Sequence, residues 1–317
     1  MALGAGTGSE ANLRAMRLTF ILPALDEAAG LMATLSPLQP LRAQGHEVIL
    51  VDGGSRDGTP DLAAPWVDRV LTAPRGRARQ MNAGAAVAQG EALVFLHADT
   101  RLPGDAVALI QAALRRRLWG RFDVLIAGRP WVLKFVALLM NLRSRLTGIA
   151  TGDQAIFVRR EVFIAVGGFP DQPLMEDIAL SQRLKRLGPP ACLWQRVLTS
   201  GRRWESQGPW RAILLMWRLR FDYWRGVPAE SLAVRYRLPA QTEAVTRLAA
   251  RQAEVQVEGR AARPADGRLQ GTETAAGPAA GPTARPAAEP AAGPVARQVD
   301  VQMDGQAASP SDERRPQ

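Results

Sequence analysis

The stretch EVILVDGGSRDGT, residues 47–59, decides the fold. Val48 to Val51 is an apolar run with no polar interruption, and it delivers Asp52 to a turn of Gly53, Gly54 and Ser55, followed by Asp57, Gly58 and Thr59. A strand with one wet face alternates; a continuous run indicates a strand covered on both faces, as in a parallel sheet. The two glycines let the backbone come close to a ligand, and the carboxylate of Asp52 can accept hydrogen bonds from it. An acid that caps a turn before a helix accounts for the same residues, so this stretch alone leaves both readings open.

Working outward, RLTFILPAL (17–25), DRVLTAP (68–74) and EALVFLHAD (91–99) read as three more strands. Helical spacing fills the gaps between strands. Glu27 to Ala43 carries Leu31, Leu35, Leu38 and Leu41 but must break or kink at Pro37 and Pro40. Arg75 to Gln89, opened by Gly76, and Pro103 to Arg117, with proline in its first turn, are further helices. Strands alternating with helices predict an α/β domain, a mostly parallel sheet with helices on both faces. In such sheets ligands sit beyond the carboxyl ends of the strands. That rule brings Pro23–Glu27, Asp52–Asp57, Pro74–Arg79 and His97–Thr100 to one rim.

The second half is less regular. FVRREVFIAVGGF (157–169) reads as strand, helix and Gly-Gly turn, and LMEDIALSQRLKRLG (174–188) as an amphipathic helix stopped by Gly188, Pro189 and Pro190. PWRAILLMWRLRFDYWRG (209–226) repeats Trp210, Leu214, Trp217, Phe221 and Trp224 at spacings of four and three, a helix with an aromatic stripe. Core packing is the expectation for that stripe rather than a platform for sugar.

Composition bounds the working part. From about residue 241 the chain is Ala, Pro, Gly, Arg and Glu without aromatics or apolar periodicity, so a disordered tail is expected over 241–317, and equally a disordered N-terminus over 1–15. A single domain over 16–240 remains, with a nucleotide-binding half at about 16–100 and an acceptor half at about 101–240. The formal net charge is +10, and the tail holds nine Arg against ten acids, so the excess sits on the domain. It suits nucleotide phosphates or an anionic membrane surface. With no accompanying motif, nucleic acid is not expected as a partner. The one cysteine, Cys192, excludes an internal disulfide and a cysteine metal cluster. No signal peptide is expected at the N-terminus, and the longest apolar stretch, WVLKFVALLMNL (131–142), is too short to span a bilayer. Residues 131–145 and 210–225 are basic, aromatic and partly apolar, which would suit a membrane surface if exposed; core burial is the simpler expectation. A cytoplasmic protein, with peripheral contact at the inner face of the membrane as its only membrane role, follows.

PALDEAAG (23–30), VDGGSRDGT (51–59), MNAGAAVAQGEALVFLHADT (81–100) and MEDIALSQRL (175–184) occur in the order found in family 2 glycosyltransferases, inverting enzymes of the GT-A fold, which this chain resembles over about residues 17–225. GRARQMNAGA (76–85), FLHADT (95–100), GDQAIFVRR (152–160) and MEDIALSQRL look like the bacterial subgroup linked to arsenosugar biosynthesis. The resemblance implies a nucleotide-diphosphate sugar as donor, a hydroxyl acceptor of unknown identity, and Mg²⁺ or Mn²⁺ as cofactor. Glu27 and Asp52 match the nucleotide-base and ribose contacts, with Pro23 beside them at the strand end. Asp99 matches the second acid of the Asp-x-Asp motif, the metal ligand, while His97 stands where the first acid would contact the ribose. One protein carboxylate plus two phosphate oxygens suffices for a hard cation that keeps its waters. Asp177 matches the catalytic base, with Glu176 adjacent, and Asp153 faces donor sugar or acceptor. Many relatives have Arg directly before Asn-Ala-Gly; Met81 stands there in this chain, so Arg75 or Arg79 is expected to take the diphosphate. GRRWE (201–205) loosely resembles the Gln-x-x-Arg-Trp motif of processive relatives but lacks the Gln, which argues against polymer synthesis. Two alternatives remain in view. A nucleotidyltransferase would want a Gly-rich basic loop after the first strand, where PALDEAAG supplies an acid. A non-catalytic nucleotide-sugar-binding scaffold would bind donor without turnover.

Overall fold

A computed structural model of the chain describes residues 16–128, 131–202 and 209–236. The expected disordered ends, 1–15 and 241–317, lie outside the described residues.

Strand β1 (Leu18–Ala24) and strand β2 (Glu47–Asp52) are buried along their whole length. They run parallel to β3 (Arg69–Thr72) and β4 (Ala92–Phe95) in the order β3-β2-β1-β4. Between them lie α1 (Ala28–Leu35), α2 (Gln39–Ala43), α3 (Thr59–Ala63) and α4 (Arg77–Val87). The expected helix over 27–43 is interrupted as its prolines require: α1 passes through a 3₁₀ turn at Ser36–Leu38 before α2 begins.

The buried runs divide by parity. Leu18, Phe20 and Leu22 of β1, Val48 and Leu50 of β2, and Val94 of β4 enter one core; Ile21, Ile49, Val51, Leu93 and Phe95 enter the other. Successive side chains on a strand point to opposite faces, so an uninterrupted apolar sequence is what two covered faces require. Helix α4 covers the second face closely: a Cβ on Gly84 would stand 2.5 Å from the Ile21 side chain, so only glycine lets this helix lie so near the sheet.

The sheet then changes character. After β5 (Thr100–Arg101) and α5 (Ala106–Leu114) come β6 (Trp119–Ile126), α6 (Val132–Thr147), β7 (Phe157–Arg159), α7 (Arg160–Ala165), α8 (Glu176–Leu187), β8 (Ala191–Thr199) and α9 (Pro209–Trp224). The sheet has eight strands in the order β3-β2-β1-β4-β7-β6-β8-β5. Strand β7 is antiparallel to both β4 and β6, and β5 is antiparallel to β8. The mostly parallel sheet of the sequence reading therefore describes β1–β4 well and the far half only in part. Helix α8 begins and ends as its sequence predicts, with acids in the first turn, Lys185 and Arg186 in the last, and Gly188 at its stop.

One expectation is overturned. The aromatic stripe of α9 is not core: Trp210, Leu214, Trp217, Phe221 and Trp224 are all exposed, Trp224 to 79%. Trp131, at the N-cap of α6, and Phe135, Leu138, Leu142 and Leu146 along it are exposed in the same way. Each helix has a second apolar face that does the packing. For α6 it is Val132, Leu133, Val136 and Ala137 against the sheet; for α9 it is Leu215, Leu219 and Tyr223 against Leu174, Met175 and Ile178.

Candidate active site

The parallel register aligns the strand ends. Ala24 lies opposite Asp52, and Asp52 opposite Thr72, so the loops after β1, β2 and β3 leave the sheet side by side. Hydrogen bonds lace them together. Asp26 adopts a left-handed conformation (φ 54°) and its carboxylate accepts from Arg56 N–H at 2.8 Å, while Ala28 N–H donates to Asp57 and Glu27 N–H to Thr59 Oγ1. Beneath the loops the Gln80 amide donates to the carbonyls of Ala24 and Val51, both at 2.8 Å, clasping β1 to β2. The rim is thus fixed by polar contacts, those of Gln80 buried, before any ligand arrives.

Above it opens a cavity of about 1590 Å³, whose walls include Pro23, Glu27, Arg75, Arg79, His97, Asp99, Asp153 and Asp177. These come from the loop after β1, the start of α4, the loop after β4, the 3₁₀ turn Gly152–Gln154 and the first turn of α8. Two of the sequence candidates stand outside it. The Asp52 carboxylate is turned into its own loop, where it accepts from Gly54 N–H, Ser55 N–H and Ser55 Oγ–H; the capped-turn reading describes its contacts. Glu176 lies under the cavity wall, 2% exposed, with Oε1 held by Arg77 Nε at 2.8 Å and Oε2 bonded to nothing. Burial raises its pKa above the ordinary carboxylate value, and the Arg77 guanidinium works against that shift.

Asp177 faces the cavity instead, since adjacent residues on a helix differ by about 100° in direction. Its Oδ2 accepts from Gly152 N–H at 2.8 Å and its Oδ1 from Ile178 N–H at 2.7 Å, which fixes the carboxylate against the cavity. Gly152 in turn presses on His97: a Cβ there would stand 2.5 Å from Nε2 of the ring. Burial, then the charge of Arg77, lowers the pKa of His97, against the pull of Asp99, Asp153 and Asp177. Asp153 keeps one buried oxygen, Oδ1, without a hydrogen-bond partner.

The arginines are distributed differently from the sequence expectation. Arg79 is tied to Asp171 at 2.7 Å, both residues in the cavity wall, and Arg75 is exposed at the rim. Arg77, between them, is the one linked to the acids of α8. A second arginine, Arg202, reaches across from the end of β8 to bond Glu27 at 2.8 Å and to stand 3.9 Å from Asp99. It belongs to the GRRWE stretch, whose remaining residues, 203–205, lie outside the described ones. Arg143 of α6 and Arg220 of α9 also line the cavity. The Nε and Nη2 atoms of Arg143 are shut off from solvent and bond nothing, and its pKa is pulled down to about 10, by burial first and then by Arg220. Burial likewise lowers the pKa of Arg220, while Asp177 and Asp153 act to raise it.

Among the described residues no three His, Cys, Asp or Glu side chains are grouped as a metal site. The donor set suits a cation that takes only part of its shell from protein: Asp99 offers a carboxylate to the cavity and is engaged by Arg202 only at long range.

Comparison with known proteins bears on the fold and the class of protein. Residues 19–132 match the family described as Glycosyl transferase family 2. Over 223 residues the chain is 24% identical to poly-beta-1,6-N-acetyl-D-glucosamine synthase of Staphylococcus aureus (strain COL), a match covering 61% of this chain and 53% of that protein. It is equally 24% identical over 223 residues to probable glycosyltransferase YdaM of Bacillus subtilis (strain 168), covering 60% and 53% of the two chains. The chain thus spans about half the length of the curated relatives it matches. Among solved structures it resembles mannosyltransferase PcManGT from Pyrobaculum calidifontis, in complex with GDP-Man and Mn²⁺, with a TM-score of 0.51, 22% identity, and coverage of 78% of this chain and 81% of that one. The fold is that of GT-A glycosyltransferases, and the chain carries, at residues 19–132, a match to Glycosyl transferase family 2.

Proposed function

We propose that the protein is a metal-dependent, inverting glycosyltransferase that moves a sugar from a nucleotide-diphosphate sugar to an acceptor hydroxyl. The observation that carries this reading is Asp177, fixed by two backbone N–H donors at the wall of a cavity it shares with Glu27, His97 and Asp99. A carboxylate so held at a cavity wall is placed to take a proton from an alcohol. The acceptor oxygen bonds to the anomeric carbon, the bond from that carbon to the diphosphate oxygen breaks, the nucleoside diphosphate departs, and the hydroxyl proton passes to Asp177. Attack from the face opposite the leaving group inverts the centre.

Asp99 is the residue that would hold Mg²⁺ or Mn²⁺, and a cation there would offset the charge that develops on the diphosphate. Arg202, oriented by Glu27, is the protein's own cation beside it, and Arg77, oriented by Glu176, lines the same cavity. In this arrangement Glu176 is a positioning residue. Asp153, with its unbonded oxygen, is suited to a sugar hydroxyl. The subgroup linked to arsenosugar biosynthesis is our assignment within the family and rests on the motif wording alone. A scaffold that binds nucleotide sugar without turnover has less support, because a partner-recruiting role gives Asp177 no work.

The test separates metal from nucleotide. Thermal stabilisation by GDP- and UDP-sugars, with and without Mn²⁺, should depend on Mn²⁺ in the wild type and lose that dependence in Asp99→Asn, since a neutral amide is a poor ligand for a hard cation. His97→Ala should weaken the nucleotide and keep the Mn²⁺ dependence. The reverse pattern would refute the division of roles.

Peripheral contact with the inner face of a membrane is the matching proposal for location. The exposed stripes of α6 and α9 are flanked by the exposed cations Lys134, Arg211, Arg218 and Arg225, the pattern of helices that lie on anionic lipid. Among the described residues no helix is long and apolar enough to cross a membrane. Failure to sediment with phosphatidylglycerol vesicles at low salt would remove this reading.

A further inference from the structure

The cavity is chemically divided. At one end stand Glu27, Asp99 and Arg202, held together by ion pairs. At the other it runs out between α6 and α9, along Phe135, Leu142 and Leu146 on one side and Leu214 and Trp217 on the other. All five are exposed despite their size, and Leu146 is 77% exposed. An apolar groove of this extent needs a partner to leave water.

Arg143 and Arg220 stand where those apolar walls meet the carboxylates of Asp153 and Asp177, whose charges both arginines feel. A guanidinium carries five donors, and Arg143 buries two of its nitrogens with no acceptor for either. Of the two carboxylates whose charge it feels, Asp177 has both oxygens taken by backbone N–H groups, and Asp153, whose Oδ1 is buried and unbonded, makes no hydrogen bond to it. An unmatched buried donor on a cation is costly, and the ordinary remedy is an anion that arrives with the ligand. In the glycosyltransferase reading the donor's diphosphate has Arg202 and an Asp99-held cation at the opposite end, so the anion to be matched here belongs to the other substrate.

We propose that the acceptor is an anionic lipid whose phosphate binds Arg143 and Arg220, whose hydroxyl next to that phosphate faces Asp177, and whose acyl chain lies in the groove between α6 and α9. The inference rests on the glycosyltransferase reading above and names its acceptor class. The transfer step is unchanged: the lipid hydroxyl supplies the attacking oxygen and its proton goes to Asp177. Charge and apolarity are required together, since either wall of the site alone would select a different molecule.

Three soluble probes separate the two requirements: dihexanoyl phosphatidylglycerol, dihexanoyl phosphatidylcholine and glycerol 3-phosphate. Binding is read by tryptophan fluorescence on the full chain, with donor-induced thermal stabilisation measured alongside. Dihexanoyl phosphatidylglycerol should bind about tenfold or more tighter than either of the others, the scale of one or two charge-assisted hydrogen bonds. Arg143→Gln combined with Arg220→Gln should bring it to the phosphatidylcholine level while donor stabilisation persists, which also shows that the variant is folded. Trp217→Ala, on the outer wall, should bring it toward the glycerol 3-phosphate level. Equal binding of phosphatidylcholine, equal binding of the free head group, or phosphatidylglycerol binding indifferent to the two arginines would each overturn the proposal; the last would leave only non-specific docking on a membrane. A wild type that takes up no nucleotide sugar at all would instead overturn the glycosyltransferase reading.

Discussion

Strand β1 and helix α9 contain similar shares of apolar residues and use them in opposite ways. Every residue of Leu18–Ala24 is buried, alternate ones serving the two cores on either side of the sheet. Helix α9 is also apolar on two sides, yet one side, with Ala212, Ile213, Leu215, Met216, Leu219 and Tyr223, finds a wall, and the other meets solvent along Trp210, Leu214, Trp217, Phe221 and Trp224. A central strand has a layer above and a layer below. A helix at the margin has one. Apolar content therefore reports burial in a central strand but not in a marginal helix.

The largest effect expected lies where the two halves meet. Asp177→Asn should lower the transfer rate at saturating donor by about 10²–10⁴-fold, the usual contribution of a general base, with donor affinity and melting temperature nearly unchanged. Glu176→Gln, which keeps shape but weakens the hold on Arg77, should cost less in rate and more in donor affinity. A near-normal rate for Asp177→Asn would move the base elsewhere.

The comparison itself is tested by truncating one aromatic on each side. Phe95 is 2% exposed and packs against Phe163 and Phe169; Phe95→Ala should destabilise by about 3–5 kcal/mol. Trp217→Ala should change stability by no more than about 0.5 kcal/mol, as an exposed position does. Urea unfolding of the two variants gives the answer, and similar losses in both would mean that α9 is a structural wall after all.

The smallest effect concerns His46, just before β2. Its ring accepts a hydrogen bond from Leu18 N–H at 3.2 Å, and burial, then Arg17, lowers its pKa. The folded chain thus binds this proton less readily than the unfolded one, so the stabilisation is complete above the unfolded value of about 6.5 and declines as pH falls through it. Between about pH 7.5 and 5.5 the melting temperature should fall more in the wild type than in His46→Gln, whose amide can accept the same bond without titrating. Parallel slopes would assign the pH response to other groups.

These contrasts also explain what could be read from the sequence. The strands β1, β2 and β4 were legible because a strand buried on both faces cannot be written any other way. The stop of α8 was legible because glycine and two prolines leave no alternative. Burial of α9 was misjudged because periodicity reports where apolar residues lie around a helix and not how many neighbours surround it. Among the site residues, Asp177, His97 and Asp99 were found from their motifs and do line one cavity. Arg77 was passed over between Arg75 and Arg79, since three arginines at alternate positions cannot be ranked until the helix turns one of them toward Glu176. Arg202 is 175 positions from Glu27, and only the return of β8 beside β6 brings it near. Arg143 carried no motif at all.

The contact between Gly152 and His97 has a consequence for how such chains diverge. Any side chain at 152 would collide with the ring at 97, and the same residue supplies an N–H to Asp177. The two positions therefore cannot drift separately. In a collection of related sequences a bulkier residue at 152 should occur only beside a shorter one at 97, so that two sites far apart along the chain are inherited as a single character.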